Sequence, residues 1–383
     1  MFMFRYIRVI TNFFAYCAYR PTPIPKNPTF KPSDVTIVIP TTALNLETLH
    51  KEVVSILRHD IAALIITTAG PKVKKDIDMF KAMFTDPRIQ VLHRDVPNRR
   101  EQTALATNMI QTSNIVICDD HTFWPVKTTF LPSLLALFED PMMGGVGPII
   151  EVVNCQHPYG WKGLWNFMGM AYLVQFLHAY LDEYIFWGLV GPIAADDDKF
   201  VTRWLNNHGW KIKVQCGPDS NLQTELGEWP KFATDQLLRW NRTTWRSNPR
   251  ALFTERVSWL RFPYTTYSNT VYSLFRFTAL YEATLYILLF KTLHARNLDD
   301  RIISAGLSLT SWIIGWKFVK ICPLFVKHPS QLAYFGAYLL FGWYCSAVKI
   351  YALFTCADMS WGTAKTAMQD DDAVIPLFSK DQV

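Results

Sequence analysis

The sequence predicts an α/β fold in which a parallel, Rossmann-like sheet is joined to interfacial and transmembrane α-helices. Short apolar runs alternate with amphipathic segments of helical length from residue 34 to residue 118, and the chain turns strongly hydrophobic from about residue 270. Strands that alternate with helices form parallel sheets, because each crossover connection needs about a dozen residues or more. At 383 residues, the chain is long enough for one sizeable domain and a second region.

The N-terminal residues 1–20 are apolar and aromatic but include Arg5 and Arg8. Because no small-residue cleavage site follows them, they predict an interfacial helix or short anchor rather than a removable signal peptide. Residues 21–33 are rich in proline, which ends a helix and keeps the chain extended, so they are interpreted as a linker.

Residues 34–250 are predicted to form one cytosolic α/β domain. Ligands of such a sheet bind beyond the carboxyl ends of its strands. Two polar runs fall at these ends, Thr67-Thr68-Ala69-Gly70 and Asp119-Asp120-His121. The predicted strands cover 35–40, 63–67, 88–92 and 114–118, and the predicted helices cover 45–58, 72–84 and 100–111.

Residues 251–355 are predicted to form interfacial and transmembrane helices, followed by a C-terminal tail over 356–383. Arg276 and Glu282 argue against the first apolar segment as a span, because a charge inside a bilayer is costly and usually faces a polar partner. Residues 161–187, rich in Trp, Phe, Met and Tyr, predict a further helix that lies on the membrane or against the domain. The segments apolar and long enough to span a bilayer are 270–290, 302–321 and 332–355.

Composition narrows the class of protein. Half of the residues are hydrophobic and 15% are aromatic, a high share for a soluble protein. The net charge of +6 is modest and does not indicate a nucleic-acid partner, whereas its clustering from Arg239 to Arg261 is typical of a cytoplasmic membrane flank. None of the seven cysteines forms a C-x-x-C pair, so the sequence predicts neither a zinc site nor a disulfide framework, and a reducing compartment is expected.

Two acidic runs are candidates for chemistry. A carboxylate and an imidazole at Asp119 and His121 suit Mg²⁺ or Mn²⁺ held against a diphosphate, although an Asp-rich turn that caps the next helix fits equally well. In the triplet Asp196-Asp197-Asp198, one carboxylate could deprotonate an acceptor hydroxyl, because like-charged neighbours raise its pKa. Ordinary capping of a helix N-terminus is the alternative for the triplet.

The third candidate is the run Gln236-x-x-Arg239-Trp240, in which Arg239 would neutralise phosphate and Trp240 would pack against a sugar. A basic juxtamembrane face with interfacial tryptophans is the alternative. Arg99 and Arg100 are a further candidate phosphate contact, although paired surface arginines are common. The run Gly144-Gly-Val-Gly147-Pro148 either permits close approach of a ligand or forms a plain turn.

The order of these motifs resembles one family, the processive family-two glycosyltransferases, which comprise hyaluronan, chitin and cellulose synthases. The chain is most similar to their fungal hyaluronan-synthase-like, capsule-associated branch, and the resemblance covers nearly all of it. The motifs that carry it are Asp119-Asp-His-Thr-Phe-Trp-Pro125, Asp196-Asp-Asp-Lys-Phe200, Thr202-Arg-Trp204, His208-Gly-Trp210, Gln236-x-x-Arg-Trp-x-Arg242 and Thr244-Trp-Arg-Ser-Asn248.

The resemblance implies a GT-A-type domain on membrane helices that uses a UDP-sugar donor, a divalent cation (Mg²⁺ or Mn²⁺) and a polysaccharide or glycan acceptor. It implies a multi-pass protein of the plasma membrane with a cytosolic catalytic domain, active in cell-wall or capsule polysaccharide biosynthesis. Asp119 would hold the nucleoside side and His121 would join it at the metal. Asp198 would be the base, with Asp197 its nearest rival. Gln236, Arg239 and Trp240 would cover the diphosphate and the acceptor end.

Three departures from the family pattern are visible. Thr67-Thr68 replaces an acidic pair near the nucleobase, so recognition would rely on hydroxyl and backbone groups. Ala364 replaces an arginine after Trp361-Gly-Thr363, and the longer acceptor-side insert expected between Tyr180 and Asp196 is missing. Two alternatives to a polysaccharide synthase therefore stay open: a catalytically impaired membrane protein that binds nucleotide or a synthase, and a transferase that adds a single sugar to a glycolipid.

Overall fold

The computed structural model describes residues 17–152, 197–217, 219–224 and 230–358, together with positions 10, 14, 164 and 168. The predictions for most of residues 1–20, for 161–187 and for the tail after Asp358, including Trp361-Gly-Thr363, lie outside the described residues. So does the segment that replaces the acceptor-side insert. The predicted domain boundaries stay predictions.

The first sheet confirms the predicted α/β class and its Rossmann-like layout. Its four strands are all parallel in the order β3-β2-β1-β4, with Ile37 opposite Leu64 and Ile65 opposite Gln90. The strands are β1 (Val35–Thr41), β2 (Ala63–Ala69), β3 (Ile89–Arg94) and β4 (Asn114–Ile117). The helices between them are α1 (Glu47–Leu57), α2 (Pro71–Lys74), α3 (Ile77–Met83) and α4 (Arg99–Thr107).

The residue types explain the burial of strand β1 and the start of helix α4. Strand β1 is buried along its whole length, as expected for an apolar strand covered on both faces. Helix α4 begins after Asn98, whose side chain accepts hydrogen bonds from the backbone N–H groups of Arg100 and Glu101. This cap fixes the position of Arg99 at the carboxyl edge of the sheet.

A second sheet, which the sequence did not predict, follows the first. Its strand order is β5-β8-β6-β7, in which β5 and β8 are antiparallel and the other pairs are parallel. Its strands are β5 (Thr122–Phe123), β6 (Met143–Val152), β7 (Lys211–Gln215) and β8 (Asn221–Thr224). The helices that accompany it are α5 (Phe130–Leu135) and α6 (Asp197–Asn207), with short 3-10 segments at Pro32–Asp34 and Ala136–Glu139.

The remaining elements are helical. Helix α7 (Leu237–Pro249) lies between two π-helical segments, Phe232–Gln236 and Arg250–Glu255. Short helices α8 (Val257–Arg261), α9 (Pro263–Thr265) and α10 (Tyr272–Phe275) follow, with a π-helical segment at Thr266–Val271. The long helices are α11 (Thr278–Ala295), α12 (Ile302–Lys327) and α13 (Phe335–Phe354), and 3-10 turns at Asp299–Arg301 and Pro329–Tyr334 precede the last two.

Two helical stretches in the described part of the chain are long and apolar enough to cross a membrane, Asp299–Lys327 and Pro329–Phe354. The first contains the predicted span 302–321, and the second covers the predicted span 332–355 except for its last residue. The predicted segment 270–290 is not one helix, because it is interrupted between Phe275 and Thr278. Glu282, which argued against that segment as a span, does face a polar partner: its carboxylate pairs with Lys317 at 2.8 Å.

Candidate active site

Asp119 lies directly after β4, at the carboxyl edge of the parallel sheet. Its Oδ1 forms an ion pair with Nη1 of Arg99, the first residue of α4. Burial by itself raises the pKa of Asp119, but the positive charges of Arg99, His121 and Arg239 outweigh it and lower the pKa to about 2. Asp119 is therefore an ionised carboxylate at the place where ligands of such sheets bind.

His121 is oriented by its neighbour Asp120, whose Oδ1 lies 3.2 Å from Nδ1 of the imidazole. Burial lowers the pKa of His121, but the bond to Asp120 and the charge of Asp119 raise it above its usual value. The ring is 37% exposed, and its Nε2 has no protein partner among the described residues. An imidazole held by a carboxylate on one nitrogen and open on the other is the usual arrangement of a metal-binding histidine.

The donor set therefore fits a divalent cation. Asp119 supplies an ionised oxygen and His121 an open nitrogen, and both suit Mg²⁺ or Mn²⁺ when a diphosphate provides further oxygens. Among the residues that the structure covers, no group of three His, Cys, Asp or Glu side chains is close enough to hold a metal alone. A cation here would need its substrate to complete the coordination.

Residues 119–122, which we name the Asp-His segment, are held by hydrogen bonds to side chains of neighbouring elements. Asp120 accepts a hydrogen bond from Thr41 Oγ1 of β1 at 2.7 Å, and the carbonyl of His121 accepts one from Thr224 Oγ1 at 3.2 Å. Thr122 donates its hydroxyl to Glu52 at 2.6 Å. The central carboxylate, Asp120, is thus used by the scaffold, whereas Asp119 and His121 flank it.

Thr67, the predicted nucleobase contact, lies in β2 and is fully buried. Its carbonyl accepts a hydrogen bond from Nε2 of Gln102 at 2.7 Å, and the same amide donates to the carbonyl of Thr41 at 2.9 Å. The hydroxyl of Thr67 is buried without a hydrogen-bond partner among the described residues. Its role in base recognition stays a prediction.

Arg99 and Arg100 are not an ordinary pair of surface arginines, so the alternative to a phosphate contact is wrong for them. Arg99 is engaged with Asp119, and Arg100 is fully buried beside it in α4. Arg99 lies at the edge of the sheet, where a phosphate could reach it. Arg100 is less accessible to a phosphate because it is fully buried.

Gln236 ends a π-helical segment, and Arg239 and Trp240 lie in the first turn of α7. Arg239 is close enough to lower the pKa of Asp119, so α7 approaches the carboxyl end of β4. The half-buried ring of Trp240 packs edge-on against Phe232, with centroids 6.1 Å apart. Part of the Trp240 surface is thus structural, and only the rest is available to a ligand.

Other arginines of α7 serve the protein rather than a membrane surface. Arg242 pairs with Asp358 at 2.9 Å and donates from Nε to Oγ1 of Thr355 at 3.1 Å. The buried Arg246 donates to the carbonyl of Cys356 at 3.2 Å. A basic juxtamembrane face therefore does not explain the whole run, because these cations hold the end of α13.

Helix α6 begins at Asp197, as expected for an acidic helix start. Asp196 and the side chains of Asp197 and Asp198 lie outside the described residues. One turn further on, the buried Arg203 forms an ion pair with Glu255 at 3.0 Å and donates to the hydroxyl of Ser247. Glu255 also accepts from Nε of Arg250 at 3.1 Å. The sequence did not predict these bonds. The bond to Ser247 joins α6 to α7, and the pair with Glu255 joins α6 to the π-helical segment that follows α7.

The glycine run is not a plain turn, because it lies within strand β6. A Cβ atom at Gly144 would lie 2.7 Å from Cβ of Trp210. At Gly144, the close approach that glycine permits is therefore made by Trp210.

Glu52 is a buried residue that the sequence reasoning missed. It lies in α1 on the stripe formed by Leu49, Val53 and Ile56, all buried, at the spacing of the apolar face of a helix. A single carboxylate on such a stripe was the signal that could have identified it.

Comparisons with known proteins address the family. No protein-family model matches the chain. A type 2 glycosyltransferase of Zymoseptoria tritici is 32% identical over 397 residues, which cover 94% of this chain and 82% of that protein. A type 2 glycosyltransferase of Gibberella zeae is 30% identical, over 96% of this chain and 75% of its own. A type 2 glycosyltransferase of Pyricularia oryzae is 29% identical, over 97% and 82%.

Among solved structures, the mannosyltransferase PcManGT from Pyrobaculum calidifontis, in complex with GDP-Man and Mn²⁺, aligns with a TM-score of 0.46 and 12% identity, over 80% of this chain and 96% of that one. The identity and coverage of the fungal relatives decide the family. This chain is a glycosyltransferase and belongs to the type 2 glycosyltransferases.

Proposed function

We propose that this protein is a membrane-anchored, inverting glycosyltransferase that transfers a sugar from a UDP-sugar to a growing polysaccharide, as hyaluronan-synthase-like enzymes do. The observation that carries the proposal is the ion pair of Arg99 with Asp119 at the carboxyl edge of the sheet, with Arg239 near enough for its charge to lower the pKa of Asp119. Arg99 and Asp119 come from neighbouring elements, and Arg239 comes from α7, more than a hundred residues further along the chain. That arrangement suits an anionic diphosphate accompanied by a metal ion.

Arg239 has the clearest role in this reaction. As the bond between the anomeric carbon and the phosphate oxygen breaks, negative charge develops on the departing UDP. A guanidinium held by α7 stabilises that charge more in the transition state than in the bound donor, which accelerates the reaction. Gln236 and Trp240, on the same end of α7, would position the diphosphate and the acceptor sugar.

Asp198 is proposed as the general base, with Asp197 as its nearest rival. The acceptor hydroxyl oxygen forms the new bond to the anomeric carbon, and its proton passes to the carboxylate. UDP leaves with the electron pair of the broken bond, and the configuration at that carbon is inverted because the acceptor oxygen attacks the face opposite the departing UDP. The start of α6 suits this role because Arg203, one turn along the same helix, holds it rigidly against α7.

Asp119 and His121 would hold the divalent cation, whose contribution is to neutralise the diphosphate oxygens. The residues of the chain keep this site ready: Asp120 orients the imidazole and Arg99 holds the carboxylate. Arg100 and Thr67 would line the deeper, nucleoside side of the same edge.

The proposal is tested by measuring UDP release from the full-length protein in detergent. UDP-GlcNAc, UDP-Glc, UDP-GlcA and UDP-Gal are each supplied with Mn²⁺ or Mg²⁺, and chelation by EDTA is the metal-free control. Release with at least one donor is expected, together with its loss in Asp198→Asn and in EDTA. The proposal fails if no donor gives release above the Asp198→Asn variant. UDP binding without turnover would then favour the catalytically impaired alternative.

Product size separates a polysaccharide synthase from a transferase that adds one sugar. Gel filtration of the radiolabelled product distinguishes a polymer from a singly extended acceptor.

We also propose that Asp299–Lys327 and Pro329–Phe354 anchor the protein in the plasma membrane, with the α/β domain on the cytosolic side. Carbonate extraction and fractionation of cells test this, and recovery in the soluble fraction would contradict it.

A further inference from the structure

Glu52 is a fully buried carboxylate that the proposed reaction does not use. It lies on the inner face of α1, between the buried residues Leu49 and Val53. An isolated carboxylate in such a place costs several kcal/mol unless its oxygens find partners. The hydrogen-bond partners of Glu52 therefore indicate why a carboxylate lies on the buried face of α1.

Both carboxylate oxygens of Glu52 contact Thr122, the last residue of the Asp-His segment. The hydroxyl of Thr122 lies 2.6 Å from Oε1, and its backbone N–H donates to Oε2 at 3.2 Å. The same hydroxyl lies 3.2 Å from the carbonyl oxygen of Asp119. Glu52 thus reaches one end of the segment directly and the other end through the Thr122 hydroxyl.

We propose that Glu52 is a positioning residue that fixes the Asp-His segment in the conformation in which Asp119 and His121 face one ligand. Thr41 and Thr224 hold Asp120 and the carbonyl of His121, and Glu52 closes the segment from inside the domain. The inference rests on the proposed function, because the conformation that Glu52 maintains matters only if Asp119 and His121 bind a metal ion.

The environment of Glu52 defines which substitution should preserve its role. Burial raises the pKa of Glu52 well above its usual value, and the bonds from Thr122 oppose that shift only in part. A neutral side chain of the same shape should then serve. In Glu52→Gln, the amide oxygen accepts the N–H of Thr122 and the amide nitrogen donates to its hydroxyl, which remains free to donate to the carbonyl of Asp119. Glu52→Met keeps the volume but removes both bonds.

The experiment measures Mn²⁺ affinity directly, by electron paramagnetic resonance of free Mn²⁺ in the presence of UDP, on the full-length protein in detergent. Glu52→Met is expected to weaken the affinity about tenfold or more, the usual effect of removing a group that orients metal ligands. Glu52→Gln is expected to stay within about twofold of the original protein. Ser55→Ala is the matched control, since Ser55 is also buried in α1 but accepts from the N–H of Trp124, beyond the segment.

The inference is overturned if Glu52→Met binds Mn²⁺ like the original protein, or if Ser55→Ala weakens binding as much. Asp119→Asn separates this inference from the proposed function. If Asp119→Asn retains full Mn²⁺ affinity, the metal site itself is misassigned. If Asp119→Asn loses it and Glu52→Met does not, only the role of Glu52 is wrong.

If Glu52→Met does not fold, Thr122→Val and Thr122→Ser decide the question. The first removes the hydroxyl that links Glu52 to Asp119, and the second keeps it. Weaker Mn²⁺ binding by Thr122→Val but not by Thr122→Ser supports the inference. Equal binding by both variants overturns it.

Discussion

Replacing Glu255 with glutamine removes the negative charge that joins helix α6 to the π-helical segment Arg250–Glu255, which directly follows helix α7. Glu255 accepts from both Arg203 and Arg250, and its side chain is only 16% exposed. The Arg203 guanidinium is almost completely buried. After the substitution, this guanidinium keeps a neutral acceptor but loses its counter-charge inside the protein.

The expected cost follows from that burial. Removing one partner of a fully buried ion pair costs about 3–5 kcal/mol, whereas exposed pairs contribute about 0–1 kcal/mol. Glu255 is mostly buried and glutamine retains one acceptor, so we expect a loss of about 2 kcal/mol in the free energy of unfolding. For a domain of this size, that corresponds to a melting temperature lower by about 4–8 °C.

Activity should fall for a different reason. The start of α6 carries the proposed base, and a small displacement of a positioned group can reduce the rate about a hundredfold. We expect kcat to fall about tenfold or more in Glu255→Gln, with little change in the KM of the donor, because Arg239 and Asp119 are untouched. UDP release kinetics and thermal unfolding of the detergent-solubilised protein measure both effects.

The control for Glu255→Gln is Asp140→Asn, which breaks an exposed ion pair with Lys211 in the same domain, 2.6 Å long. It should change the melting temperature by about 2 °C or less and leave kcat unaltered. If Glu255→Gln behaves like Asp140→Asn in both assays, the Arg203–Glu255 pair does not hold α6 in place. A loss of stability with unchanged kcat would refute the link between this pair and the base.

Three further outcomes are expected. Asp119→Asn should reduce UDP release about a hundredfold while the protein stays folded by circular dichroism, because the amide oxygen can still accept a hydrogen bond from Arg99; normal turnover would contradict its place in the site. Gly144→Ala should lower stability by about 1–3 kcal/mol, because the added Cβ meets Trp210 at 2.7 Å; Gly147→Ala, with nothing within 4 Å, should be nearly neutral in the same thermal melt. Glu282→Gln should lower the yield of folded protein, because the half-buried Lys317 loses its counter-charge, and Lys317→Met in the same chain should restore it; equal yields of both variants would contradict this.

The first sheet was predictable because its signal is local. Val35–Thr41 is a short apolar run next to an amphipathic helix, and both the strand and its parallel partners follow from that pattern. The second sheet was not predictable in this way, since it pairs Thr122 with Thr224 through strands of only two and four residues. The glycines of β6 also imitate a turn, and the packing of Trp210 that requires one of them is visible only in three dimensions.

The candidate site was predictable to a similar degree. Asp119, His121 and Arg239 could be proposed as site residues because they occur in motifs whose chemistry is visible in the residue types. Glu52 and Glu255 could not, because their proposed roles depend on burial and on partners distant in the chain. A charged residue on an apolar stripe, as at Glu52, is the one local sign of such a role.

Helix α7 connects the candidate site on the parallel sheet to the helices that could enter a membrane. Its first turn approaches Asp119 through Arg239, and its last turn bonds to α6 through Ser247. Between them, Trp245 donates from Nε1 to the carbonyl of Lys349 in α13 at 2.9 Å. Since one helix makes all three contacts, we expect a shift of α13 to displace Arg239, the proposed diphosphate contact, together with the helix of the proposed base. The basic, aromatic composition of α7 therefore reflects its position between the sheet and the apolar helices, where Arg242 and Arg246 serve the fold and Arg239 is proposed to serve the ligand.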